Sequence, residues 1–365
     1  MCITANKGEW SELYVLFKIL GEKKIHAGDG NLKKLKTYYP VLKVLRDELK
    51  RHLEYTIDKD ENKDIVVIAE NGVEFARIDI ASFLEQSKIL FSSIKKGAET
   101  KGAFEIQDMD DFLNKIHCQK VKAKSNDKSD IHIVIHDYHT GMTPNLGFSI
   151  KSEAGAAPTL LNASGATRFI FEIDSDSFAD DMMNEVNEKS GKSKIQERVN
   201  LLTKMGADLK FLKIENSVFE NNLRMIDSCM PKLISWMLAD CYKNRDMNIK
   251  AAVKRISEAN PLKYDFSEGH DFYGYKVKTM MVCIALGMVP ARLWTGRYDA
   301  TGGYIVVKND GDVVCFHIYD RNLLEDYLLN NTKFDTPSAT RHKIGEVYKE
   351  DGKYYFKLGL QIRFV

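Results

Sequence analysis

Four side chains near the middle of the chain have types and spacing suited to phosphate chemistry. Asp130 opens the alternating stretch "DIHIVIH", and Ser149, Lys151 and Glu153 occupy every second position of "FSIKSE". Side chains in a strand alternate between its two faces, so Ser149, Lys151 and Glu153 are predicted to share one face. The segment between Asp130 and Ser149 is long enough for one strand, a turn and part of a second strand. The sequence therefore predicts a hairpin that brings an acid and a lysine to neighbouring strands.

An acid at the start of one strand and a lysine midway along its neighbour can flank a divalent cation. Mg²⁺ takes oxygen ligands, here the Asp130 carboxylate, a backbone carbonyl such as that of Ile150, waters and a substrate phosphate. The ion polarises the phosphate and acidifies a water, while Lys151 positions that water and offsets charge at the phosphorus centre. The alternative is an ordinary half-buried hairpin whose lysine lies over the sheet and reaches water.

The flanking segments predict the elements that hold this hairpin. Apolar residues at three- and four-residue spacing predict helices in "GEWSELYVLFKILGEKKI", "KKLKTYYPVLKVLRDELKRHLEYTI" and "ASFLEQSKILFSSIKKG". Alternation predicts hairpins in "IVVIAENGVEFARIDI" and "GGYIVVKNDGDVVCFHIY", with glycine-containing turns at Asn71-Gly72 and at 309–311. "TRFIFEI" is typical of a further strand, and residues from about 177 to 260 have a helical pattern. The sequence predicts a mixed α/β body with helical excursions.

Composition limits the classes of protein to which the chain can belong. It has 365 residues, of which 44% are hydrophobic and 29% charged, as in a soluble globular protein. No apolar run approaches the roughly 20 residues of a membrane span, so a cytoplasmic location is expected. Six cysteines without a CxxC pair argue against a structural zinc site and against a disulfide framework. The net charge of +1 does not announce a nucleic-acid partner, but a neutral protein can carry a basic stripe.

Two other motifs fail on spacing. His132, His136 and His139 suggest zinc, but the Cα atoms of His132 and His136 would lie roughly 13 Å apart along a strand. One ion with metal–nitrogen bonds of about 2 Å is hard to share at that distance. "EKSGKS" has the end of a phosphate-binding loop, but Val186 stands where the motif requires its first glycine. A flexible turn is the better interpretation of that segment.

Two polar segments are candidates for contacts with nucleic acid. Lysines before the hairpin are suited to hold a phosphate backbone, and a solvated charged loop is the alternative; they are Lys115, Lys120, Lys122, Lys124 and Lys128. The segment "NNTKFDTPSATRHK" combines amide, hydroxyl and basic groups. Such groups read base edges in a DNA groove, arginine for guanine and asparagine for adenine, although polar surface loops are also common.

The hairpin resembles the core of the PD-(D/E)xK nuclease superfamily. In that core an aspartate opens one strand, and an acid, any residue and a lysine lie on the next. Asp130 matches the first acid, and Ser149 to Lys151 fill the second element, with serine where an acid is usual. The resemblance implies that a second acid comes from elsewhere. Glu153 is the nearest candidate on the same predicted face, Asp137 follows, and the remaining candidates are Glu172, Glu12 and Glu85.

Longer segments resemble the HpaII family of type II restriction endonucleases. They are "KAKSNDKSDI", "LGFSIKSEAGAAPTLLNASGATRFIFEI", "ALGMVPARLWTGRYDATGGYIVVKNDGDVVCFHIY", "YLLNNTKFDTPSATRHKIG" and "FKLGLQIRF". The resemblance implies Mg²⁺-dependent cleavage of double-stranded DNA at a short palindrome, which is CCGG for the named member. It also implies a cognate DNA methyltransferase as functional partner and is compatible with a homodimer.

The resemblance assigns a fold, regions and roles. We expect an α/β PD-(D/E)xK core, a mixed sheet flanked by helices, with helical and β-rich additions. The expected regions are an N-terminal helical and hairpin region at 1–80, the nuclease core at 81–176, a helical insert at 177–265, and a β-rich region at 266–365 suited to target recognition. The expected catalytic residues are Asp130, Lys151, Ser149 and Glu153; the metal ligands are Asp130, Glu153 and Asp137. The expected DNA contacts are Asn162, Ser164 and Thr167 to the backbone, and Asn331, Arg341 and His342 to bases.

Two other functions fit the same residues. One is a structure-specific or repair nuclease with this core and no choice of sequence. The other is a DNA-binding regulator that kept the hairpin and lost catalysis, which the serine at position 149 leaves open. Cleavage into discrete fragments separates the first alternative from a restriction enzyme, and any cleavage at all excludes the second.

Overall fold

The chain divides into two compact units. A computed structural model describes residues 3–48, 51–97, 102–121, 128–138 and 140–365. Unit 1 extends to Pro158 and includes Ala285–Gly287 and Tyr298–Tyr327; unit 2 comprises Thr159–Ile284, Met288–Arg297 and Leu328–Val365. The region boundaries expected at 80, 176 and 265 do not coincide with the boundaries of these units.

Both units contain strands and helices. Within the described residues the strands are β1 (Thr4–Asn6), β2 (Lys24–Gly28), β3 (Lys34–Glu48), β4 (Arg51–Asp60), β5 (Lys63–Glu70), β6 (Val73–Asp79), β7 (Ala103–Glu105), β8 (Ile131–Ile135), β9 (Asn145–Ser152), β10 (Thr159–Leu161), β11 (Arg168–Asp174), β12 (Asp208–Ile214), β13 (Gly303–Val307), β14 (Val313–His317), β15 (Thr332–Phe334), β16 (Val347–Glu350), β17 (Lys353–Gly359) and β18 (Ile362–Phe364). The helices are α1 (Lys7–Glu22), α2 (Ile80–Gly97), α3 (Asp110–Lys115), α4 (Asp180–Glu188), α5 (Lys194–Lys204), α6 (Ser217–Ile226), α7 (Met230–Asn244), α8 (Ile249–Ala259), α9 (Phe272–Leu286), α10 (Arg321–Asn330) and α11 (Ala339–His342).

A nine-stranded sheet forms the frame of unit 1. Its strand order is β2-β14-β13-β9-β8-β3-β4-β5-β6. Strand β9 pairs antiparallel with β8 and parallel with β13, so the sheet is mixed, as predicted. The predicted hairpin of β8 and β9 is confirmed, and it lies near the middle of the sheet, where both of its strands have partners on each side.

Helices α1 and α2 bury the apolar face of this sheet. Trp10 and Phe17 of α1 and Phe83 of α2 join Ile133 and Phe148 of the sheet in one core. Aromatic side chains contribute large buried areas, and Phe17 and Phe83 meet edge to face with ring centroids 6.0 Å apart. The opposite face of β9 carries Ser149 and Lys151.

The start of α1 is fixed by its own sequence. The Asn6 side chain accepts a hydrogen bond from the Glu9 backbone N–H, and the Glu9 carboxylate accepts one from the Asn6 backbone N–H. This capping box satisfies two backbone donors that have no partner inside the helix. The predicted helices at α1 and α2 are both confirmed.

One predicted helix is wrong. The segment "KKLKTYYPVLKVLRDELKRHLEYTI" forms the two long antiparallel strands β3 and β4, in which Val44 pairs with Tyr55. The alternation is interrupted between Val41 and Lys43, where the pairing of β3 with β8 shifts register. A bulge moves the apolar residues by one position, so their spacing imitates a helix. The abundant β-branched and aromatic residues are the signal that favours strands.

Both predicted tight hairpins are confirmed. Asn71 and Gly72 adopt φ values of 51° and 83° between β5 and β6, the left-handed pair that a type I′ turn requires. Gly311 has φ 86° in the connection between β13 and β14. Most residues with a side chain are strained at these positive φ values, whereas glycine is not. The glycines therefore determine where the strands turn.

Unit 2 contains two smaller sheets with helices α4 to α8. Their strand orders are β12-β11-β17-β16 and β10-β18-β15. The predicted strand "TRFIFEI" is confirmed as β11, but the helical pattern assigned to 177–260 contains the strand β12. The β-rich pattern of the last hundred residues likewise contains the helices α9 and α10. No helix in the described parts of the chain is both long enough and apolar enough to cross a bilayer.

Candidate active site

Asp130 takes the place of a strand partner beside β9. It directly precedes β8, and its backbone N–H donates to the Phe148 carbonyl at 2.8 Å. One carboxylate oxygen, Oδ2, accepts from the Ile150 backbone N–H at 2.7 Å and from the Ser149 hydroxyl at 3.3 Å. The other oxygen, Oδ1, has no hydrogen-bond partner among the described residues. The carboxylate is thus held by one oxygen and offers the other.

The backbone N–H and C=O of Ile150 have no partner on β8, because β8 begins only at Ile131. The pairing of β8 with β9 reaches only to Ile131 and Phe148. The N–H and C=O of one residue point the same way in a strand, so both groups of Ile150 face beyond this pair. Asp130 accepts from the N–H, and the Lys151 ammonium donates to the carbonyl oxygen at 3.1 Å. The Asp130 carboxylate and the Ile150 carbonyl oxygen therefore lie on the same side of β9.

Ser149 joins the acid and the lysine. Its side chain is 1% exposed, and its hydroxyl lies 3.3 Å from Asp130 Oδ2 and 3.4 Å from Lys151 Nζ. A carboxylate in this buried position would lose most of its hydration and would face Asp130 at close range. A hydroxyl accepts from the ammonium and donates to the carboxylate without adding charge. The serine thereby organises the pair where an acid would disturb it.

Tyr304 forms the wall of the site on the other side of β9. It pairs with Ser149 across the parallel ladder, and the Lys151 ammonium lies 5.7 Å from its ring centroid. This distance allows a cation–π contact between the ammonium and the ring. Burial raises the pKa of the Tyr304 phenol well above its usual value, so the ring stays neutral. Lys151 is therefore held from three directions by Ser149, Ile150 and Tyr304.

Lys128 and Asp299 also belong to this site, a pairing that no sequence pattern predicts. The Lys128 backbone N–H donates to an Asp299 carboxylate oxygen at 3.2 Å, and the Ser129 hydroxyl donates to the Asp299 carbonyl at 3.2 Å. Burial, and next the charge of Lys151, lower the pKa of the Lys128 ammonium, while Asp130 and Asp299 oppose that shift. Asp299 thus anchors the segment that carries Asp130. It lies 171 residues beyond Lys128, so no local pattern could reveal the contact.

Glu153 lies at the far end of β9 from Asp130. Its backbone N–H donates to the Val307 carbonyl at 2.8 Å, and its carboxylate is within electrostatic range of Lys308 and Asp310. Burial raises the pKa of the Glu153 carboxyl, and Lys308 partly opposes this. Four residues of strand, roughly 13 Å, separate its Cα from that of Ser149. The structure does not place the Glu153 carboxylate in contact with Asp130.

Asp137 does not fit a site shared with Asp130. The two residues stand at opposite ends of β8, seven positions apart, which is roughly 23 Å of extended chain. Asp137 is fully buried and accepts a hydrogen bond from the Thr140 hydroxyl at 2.6 Å. It also accepts from Tyr319, whose pKa it raises. The expectation that Asp137 binds the same ion as Asp130 is therefore corrected, because a whole strand separates them.

The other acids and the histidines do not complete a cluster either. Glu12 and Glu85 lie on α1 and α2, the helices that cover the opposite face of the sheet. Glu172 belongs to unit 2, where Lys353 pairs with it at 2.9 Å. Among the described residues there is no group of three or more His, Cys, Asp or Glu side chains arranged to hold a metal ion. His139 of the rejected zinc motif lies outside those residues.

Of the three residues predicted to contact the DNA backbone, one has an exposed side chain and two form hydrogen bonds within their own turn. Asn162 is exposed. Ser164 caps a short turn by accepting from the Ala166 N–H, and the Ser164 N–H donates to the Thr167 hydroxyl at 3.0 Å. Thr167 is completely buried, so its predicted contact with DNA does not fit the structure. Its hydroxyl has a structural role in this turn.

The residues predicted to read bases lie in unit 2, two of them on α11. Arg341 is exposed, His342 is half-buried, and Asn331 is half-buried before β15. Burial, then the charges of Arg341 and Arg168, lower the pKa of the His342 imidazole, so these three side chains form one basic cluster. Arg168, which the sequence reasoning missed, also pairs with Glu215 at 2.7 Å. Of the predicted lysine run, Lys122 and Lys124 lie outside the described residues.

Comparison with known proteins identifies the family to which the chain belongs. Residues 6–364 match the family model described as HpaII restriction endonuclease, and the chain therefore belongs to the HpaII restriction endonuclease family. Over 362 residues it is 42% identical to the type II restriction enzyme HpaII of Haemophilus parainfluenzae, with 99% of each chain covered. None of the solved structures compared with the chain matches it. The resemblance seen in the sequence segments is confirmed.

Proposed function

We propose that this protein is a type II restriction endonuclease that hydrolyses phosphodiester bonds of double-stranded DNA at CCGG. The observation that carries the proposal is a set of contacts in a chain that belongs to a restriction endonuclease family. In this junction Asp130 accepts from the Ile150 backbone N–H, and Lys151 donates to the Ile150 carbonyl beside Ser149. The same junction is the basis for proposing a PD-(D/E)xK core with serine in the second acidic position. We further propose that the enzyme acts in the cytoplasm.

Mg²⁺ fits the oxygen atoms that the site offers. Asp130 Oδ1 and the Ile150 carbonyl are hard oxygen donors, and among the described residues no thiol or imidazole accompanies them. Mg²⁺ is commonly bound through one or two carboxylates with waters and substrate phosphate completing its shell. When bound, such an ion polarises the phosphate and lowers the pKa of a water. Asp130 and Ile150 are the residues that would hold it.

The side chains of the protein supply the remaining electrostatic stabilisation. Lys151 holds a positive charge at a point fixed by Ser149, Ile150 and Tyr304, so little reorganisation is needed when charge develops on the phosphate. Preorganised charge in a site shielded from water is worth more than the same charge in solvent. Lys128 adds a second positive charge near Asp130. Lys151 would also orient the attacking water toward phosphorus.

Glu153 is proposed as a supplementary acid that acts through water. We expect Glu153→Gln to lower the single-turnover cleavage rate about tenfold, the loss typical of a group that orients a metal's ligands without touching the ion. The Mg²⁺ concentration for half-maximal rate should rise as well. Glu85→Gln is the matched control, because Glu85 is exposed on α2 behind the sheet. Equal rates for both variants and the unchanged protein would remove Glu153 from the mechanism.

Arg341 is proposed to read a guanine of the target. We expect Arg341→Ala to weaken binding to a CCGG duplex by roughly ten- to a hundredfold, since a bidentate arginine–guanine contact is worth about 1–3 kcal/mol. Binding to a duplex without the site should change much less. Arg224→Ala in the same unit is the control, since Arg224 pairs with Glu220 on the surface of α6. An equal loss on both duplexes would assign Arg341 to the phosphate backbone.

Two partners follow from the proposed reaction. A palindrome presents the same sequence on both strands, so a two-fold symmetric homodimer would treat both strands alike. A DNA methyltransferase with the same target would protect the host genome. Both are proposals, and sedimentation of the protein with and without a CCGG duplex tests the first.

Digestion of one sequenced plasmid tests the proposed function. In Mg²⁺ we expect discrete fragments whose ends all map to CCGG, and no cutting of the same plasmid after methylation of those sites. A smear would instead favour a nuclease without sequence choice. Tight binding to CCGG without cleavage in Mg²⁺ or Mn²⁺ would favour the non-catalytic regulator.

A further inference from the structure

Unit 2 contains a groove that the proposed cleavage reaction does not use. It lies between helix α7 and the edge strand β12 and encloses about 390 Å³. That volume falls within the range of roughly 300–1,000 Å³ typical of small-molecule sites. Phe211 of β12 and Trp236 of α7 are both half-buried and line it, together with Leu262. The groove therefore has flat aromatic walls that remain partly accessible.

Two lysines of α7 flank these aromatic walls. Lys232, Trp236 and Lys243 follow one face of α7, where positions three or four residues apart are neighbours. The two lysines stand about 16 Å apart along the helix axis at 1.5 Å per residue, and both line the groove. Neither ammonium group has an acidic partner within the described part of the chain. We refer to Lys232 and Lys243 as the lysine rim.

The acids of the groove do not cancel the rim. The Asp240 carboxylate is already neutralised, because it accepts from Arg255 at 2.5 Å and from the Asn244 side chain at 2.7 Å. Asp208 is exposed at the start of β12 and is the other carboxylate that lines the groove. The two ammonium groups of the rim against the one free carboxylate of Asp208 leave the groove with a net positive charge. Its ligand should be an anion with a flat apolar part.

We propose that this groove binds a single nucleotide, with the base stacked on Trp236 and the phosphate held by one lysine of the rim. A base stacked on an aromatic side chain contributes about 1–3 kcal/mol, and a stack tolerates any base because every base has a π-face. Ammonium groups bind phosphate as compact point charges. An acidic peptide would match the charge but not the two aromatic walls. The nucleotide comes either from solution or from an unpaired position at the end of a DNA strand.

Tryptophan fluorescence of the full chain reports on the groove. The probe is deoxyadenosine 5′-monophosphate, whose base should quench Trp236, and the quench should disappear in Trp236→Phe while Trp10 and Trp294 still emit. Deoxyadenosine, which lacks the phosphate, should bind at least about tenfold more weakly, as should the nucleotide to Lys232→Gln/Lys243→Gln, since a tenfold change corresponds to about 1.4 kcal/mol of lost charge pairing. Lys250→Gln/Lys254→Gln on α8 makes the same charge change outside the groove and should bind normally.

Two duplexes without CCGG identify the source of the nucleotide. If one unpaired 5′ nucleotide strengthens binding relative to the blunt duplex, and the lysine-rim variant loses that gain, the source is a DNA end. If the duplexes bind equally and the mononucleotide still quenches Trp236, the source is a free nucleotide. No quench by the mononucleotide, or equal binding by the lysine-rim and control variants, overturns the proposal. The endonuclease assignment does not depend on this outcome, because the groove contains none of its proposed catalytic residues.

Discussion

Replacement of Lys151 by alanine should abolish cleavage while leaving DNA binding in Ca²⁺ nearly intact. The variant removes the charge that Ser149, Ile150 and Tyr304 hold in place at the proposed reaction site. Loss of one preorganised stabilising group typically costs roughly a hundred- to a thousandfold in rate, and Lys151 is also proposed to orient the water. The fold should survive, because the lysine is half-buried and not part of the apolar core. Single-turnover cleavage of a plasmid with one CCGG site measures the loss.

The Lys151 result is interpreted against binding and against a surface lysine. Filter binding in Ca²⁺ should give an affinity within a few-fold of the unchanged protein, since the lysine contributes mainly to the transition state. Lys88→Ala, on the exposed side of α2, removes the same charge from unit 1 and should cut normally. A Lys151→Ala variant that cuts at the wild-type rate would show that the active site is elsewhere.

Replacement of Asp130 by asparagine should have an effect of similar size with a different signature. The amide oxygen of asparagine can still accept from the Ile150 N–H. The position of the free carboxylate oxygen is then taken by an NH₂ group, which is uncharged and cannot bind a metal ion. We expect cleavage to fall by roughly three orders of magnitude, because both metal charge and water activation are lost. Metal-free DNA binding should strengthen, since a carboxylate that repels phosphate has gone. The gain in affinity that Ca²⁺ gives the unchanged protein should vanish.

Calorimetry and DNA binding with and without Ca²⁺ separate this loss from unfolding. The free energy of unfolding should change by only about 1 kcal/mol, the usual net worth of one hydrogen bond. Asp111→Asn on α3 is the matched control, because that aspartate is exposed in the same unit. If Asp130→Asn retains the Ca²⁺-dependent gain in DNA affinity, the metal is held by other residues.

The local part of the site could be predicted from sequence because a hairpin needs only short-range information. Alternation placed Ser149 and Lys151 on one face, and the turn length placed Asp130 opposite them. The same argument failed where the alternation was broken, as in β3, whose bulge imitates the spacing of a helix. It also wrongly grouped Asp137 with Asp130, since residues at the two ends of one strand are far apart in space. For the same reason, the distance along β9 separates Glu153 from Asp130.

The non-local part of the site could not be predicted. Tyr304 reaches Ser149 through a parallel pairing, and parallel strands are joined by long connections whose sequences carry no register. Asp299 anchors Lys128 through one carboxylate and one carbonyl, contacts that depend on the position of β13. Arg168 joins the Arg341 cluster because unit 2 brings β11 beside α11. Each of these residues looks unremarkable in its own segment.

The hydroxyl at position 149 has a consequence for how the enzyme binds its metal ion. With one carboxylate at the proposed ion site, affinity for a divalent cation must come largely from the phosphate of bound DNA. Binding of metal and binding of DNA are then thermodynamically linked, and each must raise the affinity for the other by the same factor. The protein would be able to cleave only when metal and DNA are bound together. Serine in place of an acid thus leaves the DNA-free enzyme with little affinity for the ion.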